Sequence, residues 1–97
     1  MALFAVMGEF ADDHELRLRT RPTHREYLRS LFDAGKIVMS GPWEDETGML
    51  LIYDATDMAE AENLLAQDPY RSAGVLANAT IKEWRVVLRA PWSNESS

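Results

Sequence analysis

At 97 residues the chain has room for one domain with a single two-layered core and none for a second. Sixteen acidic against ten basic side chains leave a net charge of −6, a balance that argues against nucleic acid and anionic membrane as partners. No cysteine is present, which excludes disulfides, zinc–thiolate centres and redox dithiols and makes a reducing cytoplasm the simplest compartment.

The first element, ALFAVM (2–7), is apolar on both alternating faces and predicts a central strand buried from two sides. It is too short for a membrane span and has no basic segment before it. Gly8 to Asp13 interrupts the pattern, and His14 follows in a charged loop stretch expected at the surface. From Pro22 the period becomes helical, with Tyr27, Leu28, Leu31 and Phe32 on one side and Arg25, Glu26, Arg29 and Asp33 on the other. Pro22 suits a first helical position and Gly35 a position just past the end, so the first helix is expected from about Pro22 to Ala34.

KIVMSGP (36–42) and GMLLIYDA (48–55) predict a hairpin of two strands across the polar connection WEDET. Asp57 followed by Glu60 resembles a capping box, and Met58, Ala61, Leu64 and Leu65 predict a second helix ending near Gln67. DPYRSAG is a turn or short helical piece. ATIKEWRVVL (79–88) is the last strand, with Ile81, Trp84, Val86 and Leu88 as apolar contacts. Residues 1–90 form the domain, and 91–97 a loose tail with Trp92 as its one anchor.

This order predicts an α+β, ferredoxin-like βαββαβ fold, a four-stranded antiparallel sheet with two helices on one face. The other face is then apolar and uncovered. A second sheet from an identical subunit would cover it, so a homodimer packed sheet to sheet is expected.

His24 lies in line with Leu28 and Leu31, on the side facing the sheet, in the first turn of the expected helix. It can be a structural histidine with its nitrogens satisfied, or an acid or base in a cleft between helix and sheet edge. Asp68-Pro69 is a common way to start a short helix, aspartate capping and proline first. Ser40 and Gly41 end the second strand. The serine hydroxyl can donate to a ligand and the glycine can let backbone approach one, or the pair can simply end a strand. Arg17, Arg19, Arg21, Arg25 and Arg29 cluster in thirteen positions. They either pair with Glu15, Glu26 and Asp33 as solvated charges, or one or two of them line a pocket for an anionic small molecule. No ligand spacing supports a metal site built from His14, His24 and Asp68.

The segments RPTHREYLRSLFDAGKIVMSGP, GMLLIYDATDMAEAENLLAQDPYRSAGV and IKEWRVVL together resemble the YciI-like (YCII-related domain) proteins, over almost the whole chain to about Leu88. The resemblance implies a ferredoxin-like subunit that dimerises through its sheet, as in the dimeric α+β barrels. It also implies a proposed active site in which His24 and Asp68 are neighbours. In such a pair the carboxylate orients the imidazole and stabilises its cation. Most members have no established reaction; relatives include a dehydrochlorinase, and lactone isomerases share the fold.

The expectation is therefore a small enzyme of lyase or isomerase type that needs no cofactor. His24 would be its acid/base and Asp68 its orienting carboxylate. Ser40, Gly41, Arg21 and Tyr70 would hold a small anionic or ring-containing substrate. The alternative is a non-catalytic dimeric module that binds a metabolite in the same pocket. A cofactor-free monooxygenase is a third reading that no residue specifically favours.

Overall fold

Apolar on both faces, β1 (Ala2–Phe10) takes an inner place in the sheet, between β3 (Gly48–Ala55) and β4 (Leu76–Trp84). In the computed structural model, which describes residues 2–91, the strand order is β2-β3-β1-β4 with every pairing antiparallel, and β2 (Ile37–Pro42) forms one edge. Side-chain alternation sends Phe4 and Val6 of β1 and Met49, Leu51, Tyr53 and Ala55 of β3 to one side. There they form the core with Leu31 of α1 (His14–Asp33) and Ala61, Leu64 and Leu65 of α2 (Met58–Ala66). A four-residue helix, α3 (Pro69–Ser72), leads into β4. The fold is the expected α+β, ferredoxin-like arrangement.

Two boundaries differ from the sequence reading. The first helix begins at His14, two turns before Pro22, which lies inside it. The Asp13 side chain accepts from the Leu16 N–H at 3.0 Å, Glu15 places negative charge in the first turn, and leucine and arginine propagate the helix well. These contributions, with Arg17 packed over Phe10, outweigh the hydrogen bond and steric fit that proline forfeits in a helix interior. His14 is thus a helix residue, though exposed as expected. Phe32 also departs from the expected apolar side: it is 56 % exposed in the last turn, with the Arg29 guanidinium 5.7 Å above its ring. Gly35, at φ 76°, ends the helix as anticipated, donating to Phe32 O at 3.0 Å.

The last strand is shifted towards the N-terminus of its predicted span. Its register with β1 runs from Phe10↔Leu76 to Leu3↔Trp84, so Leu76 to Asn78 are recruited by the far end of β1. Beyond Trp84 only Ala2 of β1 is left to pair, and residues 85–91 carry no regular structure, with Leu88 almost fully exposed. The expected anchor Trp92 lies outside the described residues.

The second helix obeys its capping signal. Asp57 accepts from the Glu60 N–H at 2.9 Å, while the Glu60 carboxylate accepts from the Thr56 N–H at 2.7 Å. On the helix-free side of the sheet, Leu3, Ala5 and Met7 of β1 sit beside Leu50 and Ile52 of β3, Met39 of β2 and Trp84 of β4. Met7, Met39 and Trp84 are each 40–49 % exposed, an apolar patch broken mainly by Lys82 and Thr80. No helix among the described residues is long and apolar enough to cross a membrane.

Candidate active site

Asp68 caps α3 as its sequence suggests. Its Oδ1 accepts from the Tyr70 N–H at 2.9 Å, with Pro69 at the first helical position. The same oxygen lies 2.7 Å from Nδ1 of His24, which α1 brings across from a position 44 residues earlier. Asp68 is fully buried and His24 is 7 % exposed. An ionised carboxylate has only acceptors, so Nδ1 carries the proton and donates, leaving Nε2 as the basic nitrogen. The capping and pairing readings of Asp68 therefore hold together in one oxygen.

Tyr70, whose N–H that oxygen accepts, also holds the imidazole from the side. The His24 and Tyr70 rings are parallel, 1° apart in plane and 3.7 Å between centroids. Phe10 meets Tyr70 edge-on at 5.9 Å, and the Arg17 guanidinium lies 4.5 Å over Phe10. Guanidinium, phenyl, phenol and imidazole thus contact one another in succession, and the parallel Tyr70 ring fixes the plane in which Nε2 presents its lone pair.

His24 and Tyr70 line a cavity of about 500 Å³ between α1 and the β2–β3 hairpin. Ser40 and Gly41 line it from the end of β2, and Arg21 from α1, so all the expected contact residues meet at one cavity. Asp68 stands behind His24 and is not itself part of the lining. Gly41 contributes backbone only: a side chain there would meet nothing within 4 Å, so close approach is not what requires glycine.

Sequence reasoning allowed one or two arginines of the cluster into a pocket; Arg17 and Arg25 line this cavity with Arg21, as do the hairpin residues Trp43, Glu44 and Glu46, which it missed. The signal was the spacing: Arg17, Arg21, His24, Arg25 and Leu28 form one helical stripe once the helix starts at His14. Arg17 is buried, with NH2 3.2 Å from the Glu46 carboxylate and 3.1 Å from His14 Nδ1. Glu46, at φ 61°, holds a left-handed conformation that non-glycine residues rarely take. The arginine cluster therefore does not pair with Glu15, Glu26 or Asp33: among the described residues its one carboxylate partner is Glu46, on the hairpin. Arg21 and Arg25 make no ion pair within this set, so the cavity lining holds two cationic side chains outside salt bridges, along with Glu44.

Two further phenols surround Asp68. Tyr27 donates to Leu64 O at 2.6 Å, tying α1 to α2, and burial followed by the Asp68 charge raises its pKa. Tyr53 is fully buried in β3, and burial, then the charges of Asp68 and Tyr27, hold its phenol protonated far above neutral pH.

Comparison with known proteins agrees with this architecture. Protein YciI of Escherichia coli O6:H1 is 33 % identical over 88 residues, spanning 80 % of this chain and 90 % of its own. The derivative of benzaldehyde biosynthesis cluster protein C of Emericella nidulans is 32 % identical over 75 residues, covering 66 % of this chain and 76 % of that one. Among solved structures, the 5-chloro-2-hydroxyhydroquinone dehydrochlorinase TftG of Burkholderia phenoliruptrix, in complex with 2,5-dihydroxybenzoquinone, superimposes with a TM-score of 0.76. That match is at 26 % identity and covers 86 % of this chain and 93 % of TftG. The YCII-related domain model matches residues 2–85, and with these relatives it establishes that the chain belongs to the YCII-related domain family.

Proposed function

We propose that the protein is a small acid/base enzyme of lyase or isomerase type, acting without a cofactor on a small anionic, ring-containing molecule. The observation that carries this reading is the buried 2.7 Å contact between His24 and Asp68 at the wall of the cavity, with Nε2 free of partners among the described residues. Nε2 removes a proton from carbon next to a carbonyl, and the electron pair passes into the ring as an enolate. The proton returns at another carbon in an isomerisation; in an elimination a leaving group departs as an anion. Asp68 stabilises the imidazolium formed between these steps. Arg21 and Arg25 offset the enolate charge and Ser40 donates to its oxygen. TftG, which binds a dihydroxybenzoquinone, supports a ring of this kind as the ligand class.

The enzyme acts in the cytoplasm as a homodimer, its two apolar sheet faces packed together, which withdraws Met7, Met39 and Trp84 from water. The test is an NMR titration of His24 in the wild type and in Asp68→Asn, with molar mass measured by light scattering and 2,5-dihydroxybenzoquinone added as probe. The reading expects a dimer, a His24 midpoint that falls when the Asp68 charge is removed, and probe-induced shifts at His24 and Arg21. A midpoint unmoved in folded Asp68→Asn refutes the acid/base pair. Probe binding without a titrating His24 supports the metabolite-binding module instead.

A further inference from the structure

At the His24–Asp68 pair, two buried polar atoms have no hydrogen-bond partner among the described residues: Oδ2 of Asp68 and the hydroxyl of Tyr53. Both residues are fully buried, so bulk water is not available to either. Their needs are complementary, since a carboxylate oxygen can only accept and a protonated phenol can donate. They also share an electrostatic neighbourhood, because the Asp68 charge is felt at the Tyr53 phenol and Tyr27 is felt there too. Two buried, unpaired groups of opposite kind in one neighbourhood are rarely left unsatisfied in a folded protein.

We infer that Tyr53 is a positioning residue for the acid/base pair, its O–H donating to Oδ2 of Asp68 through one buried water. Such a water would have Asp68, Tyr53 and the Tyr27 hydroxyl oxygen as partners, enough to hold it. The carboxylate is then fixed at both oxygens: Oδ1 by the Tyr70 N–H and the imidazole, Oδ2 by the β3 phenol through the water. Rotation of the carboxyl group about its own axis, which would swing Oδ1 away from His24, is blocked from the β3 side. The phenol dipole, its positive end towards the pair, also moderates how strongly Asp68 attracts the imidazolium.

This inference rests on the acid/base reading for its functional meaning, but its test does not require activity. Tyr53→Phe keeps the ring and removes only the hydroxyl. If the hydroxyl were unpaired, its loss would relieve a desolvation cost and the melting temperature would rise or stay level. If it donates to Asp68, its loss strands Oδ2, so the melting temperature falls by several degrees and the His24 titration midpoint rises. In an Asp68→Asn background the melting loss on Tyr53→Phe shrinks to less than half, because the charged acceptor is gone. A melting temperature that rises or holds on Tyr53→Phe, or a His24 midpoint that responds to Asp68→Asn but is unmoved by Tyr53→Phe, overturns the inference. Failure of the acid/base reading shows separately, as a His24 midpoint that ignores Asp68→Asn while Tyr53→Phe still lowers the melting temperature.

Discussion

Replacing Asp68 by alanine removes one oxygen that serves two partners, and the cost follows from counting them. Loss of the α3 cap, the 2.9 Å bond from the Tyr70 N–H, is worth about 1 kcal/mol. The His24 Nδ1–H, 2.7 Å from that oxygen, is left buried without an acceptor, worth roughly another 1–3 kcal/mol. The sum is about 2–4 kcal/mol, which for a domain of this size lowers the melting temperature by roughly 10–30 °C. Asp68→Asn keeps an oxygen for both bonds and gives up the charge and the second acceptor, so about 1 kcal/mol is expected. Urea unfolding of the two variants beside the wild type, with equal m-values, makes the comparison. An alanine variant within about 1 kcal/mol of wild type would refute the shared-oxygen reasoning. So would an asparagine variant as costly as alanine, which would place the whole effect in the charge.

Glu60 is held at a pKa of about 2, below its ordinary 4.5, first by the 2.7 Å bond from Lys36 and then by the Thr56 N–H. A depressed carboxylate stabilises the fold above its unfolded pKa, and that contribution disappears as pH falls through about 2. Lys36→Met should therefore flatten the stability profile between those two values, measured by urea melts at stepped pH; an unchanged slope contradicts the assignment. Gly48→Ala would put a methyl 2.1 Å from the Gly8 carbonyl oxygen and 3.2 Å from Trp43, so β1 and β3 must part where they floor the cavity. A loss of about 1–3 kcal/mol by thermal melting is expected, and a neutral variant would mean the strands yield there. Pro22→Ala restores a backbone donor in mid-helix and should stabilise by about 1–3 kcal/mol in urea melts; destabilisation would show that the proline ring packs usefully.

What could be read from the chain follows the range of each signal. Strand alternation, the Asp57 and Asp68 caps and the Gly35 terminus act within a few residues, so β1, β3, α2 and the start of α3 were legible. Pro22 misled because the feature that makes proline a good first residue says nothing against an interior position paid for by packing. Starting the helix there hid the stripe from Arg17 to Leu28, so which arginines of the cluster reach the cavity wall could not be read. The limits of β4 are set by the length of its partner, which no local pattern encodes. Tyr53 reads in MLLIYDA as one more apolar strand residue; its relation to Asp68 exists only after β3 and α3 are packed. His24 and Asp68 are legible as residues, but their contact spans 44 positions and came from the family resemblance.

The doubling of tasks on Asp68 bears on how relatives should be read. A residue that starts a helix and also faces an imidazole is retained by selection for folding even in a lineage that has abandoned chemistry. Persistence of aspartate at this position thus reports ancestry and stability. The diagnostic position is 24, where the fold asks only for a donor to the buried Asp68 oxygen, which an amide could supply without a basic nitrogen. A variant that keeps the aspartate and carries glutamine for the histidine would be the natural control for catalysis, its cap intact and its proton acceptor gone.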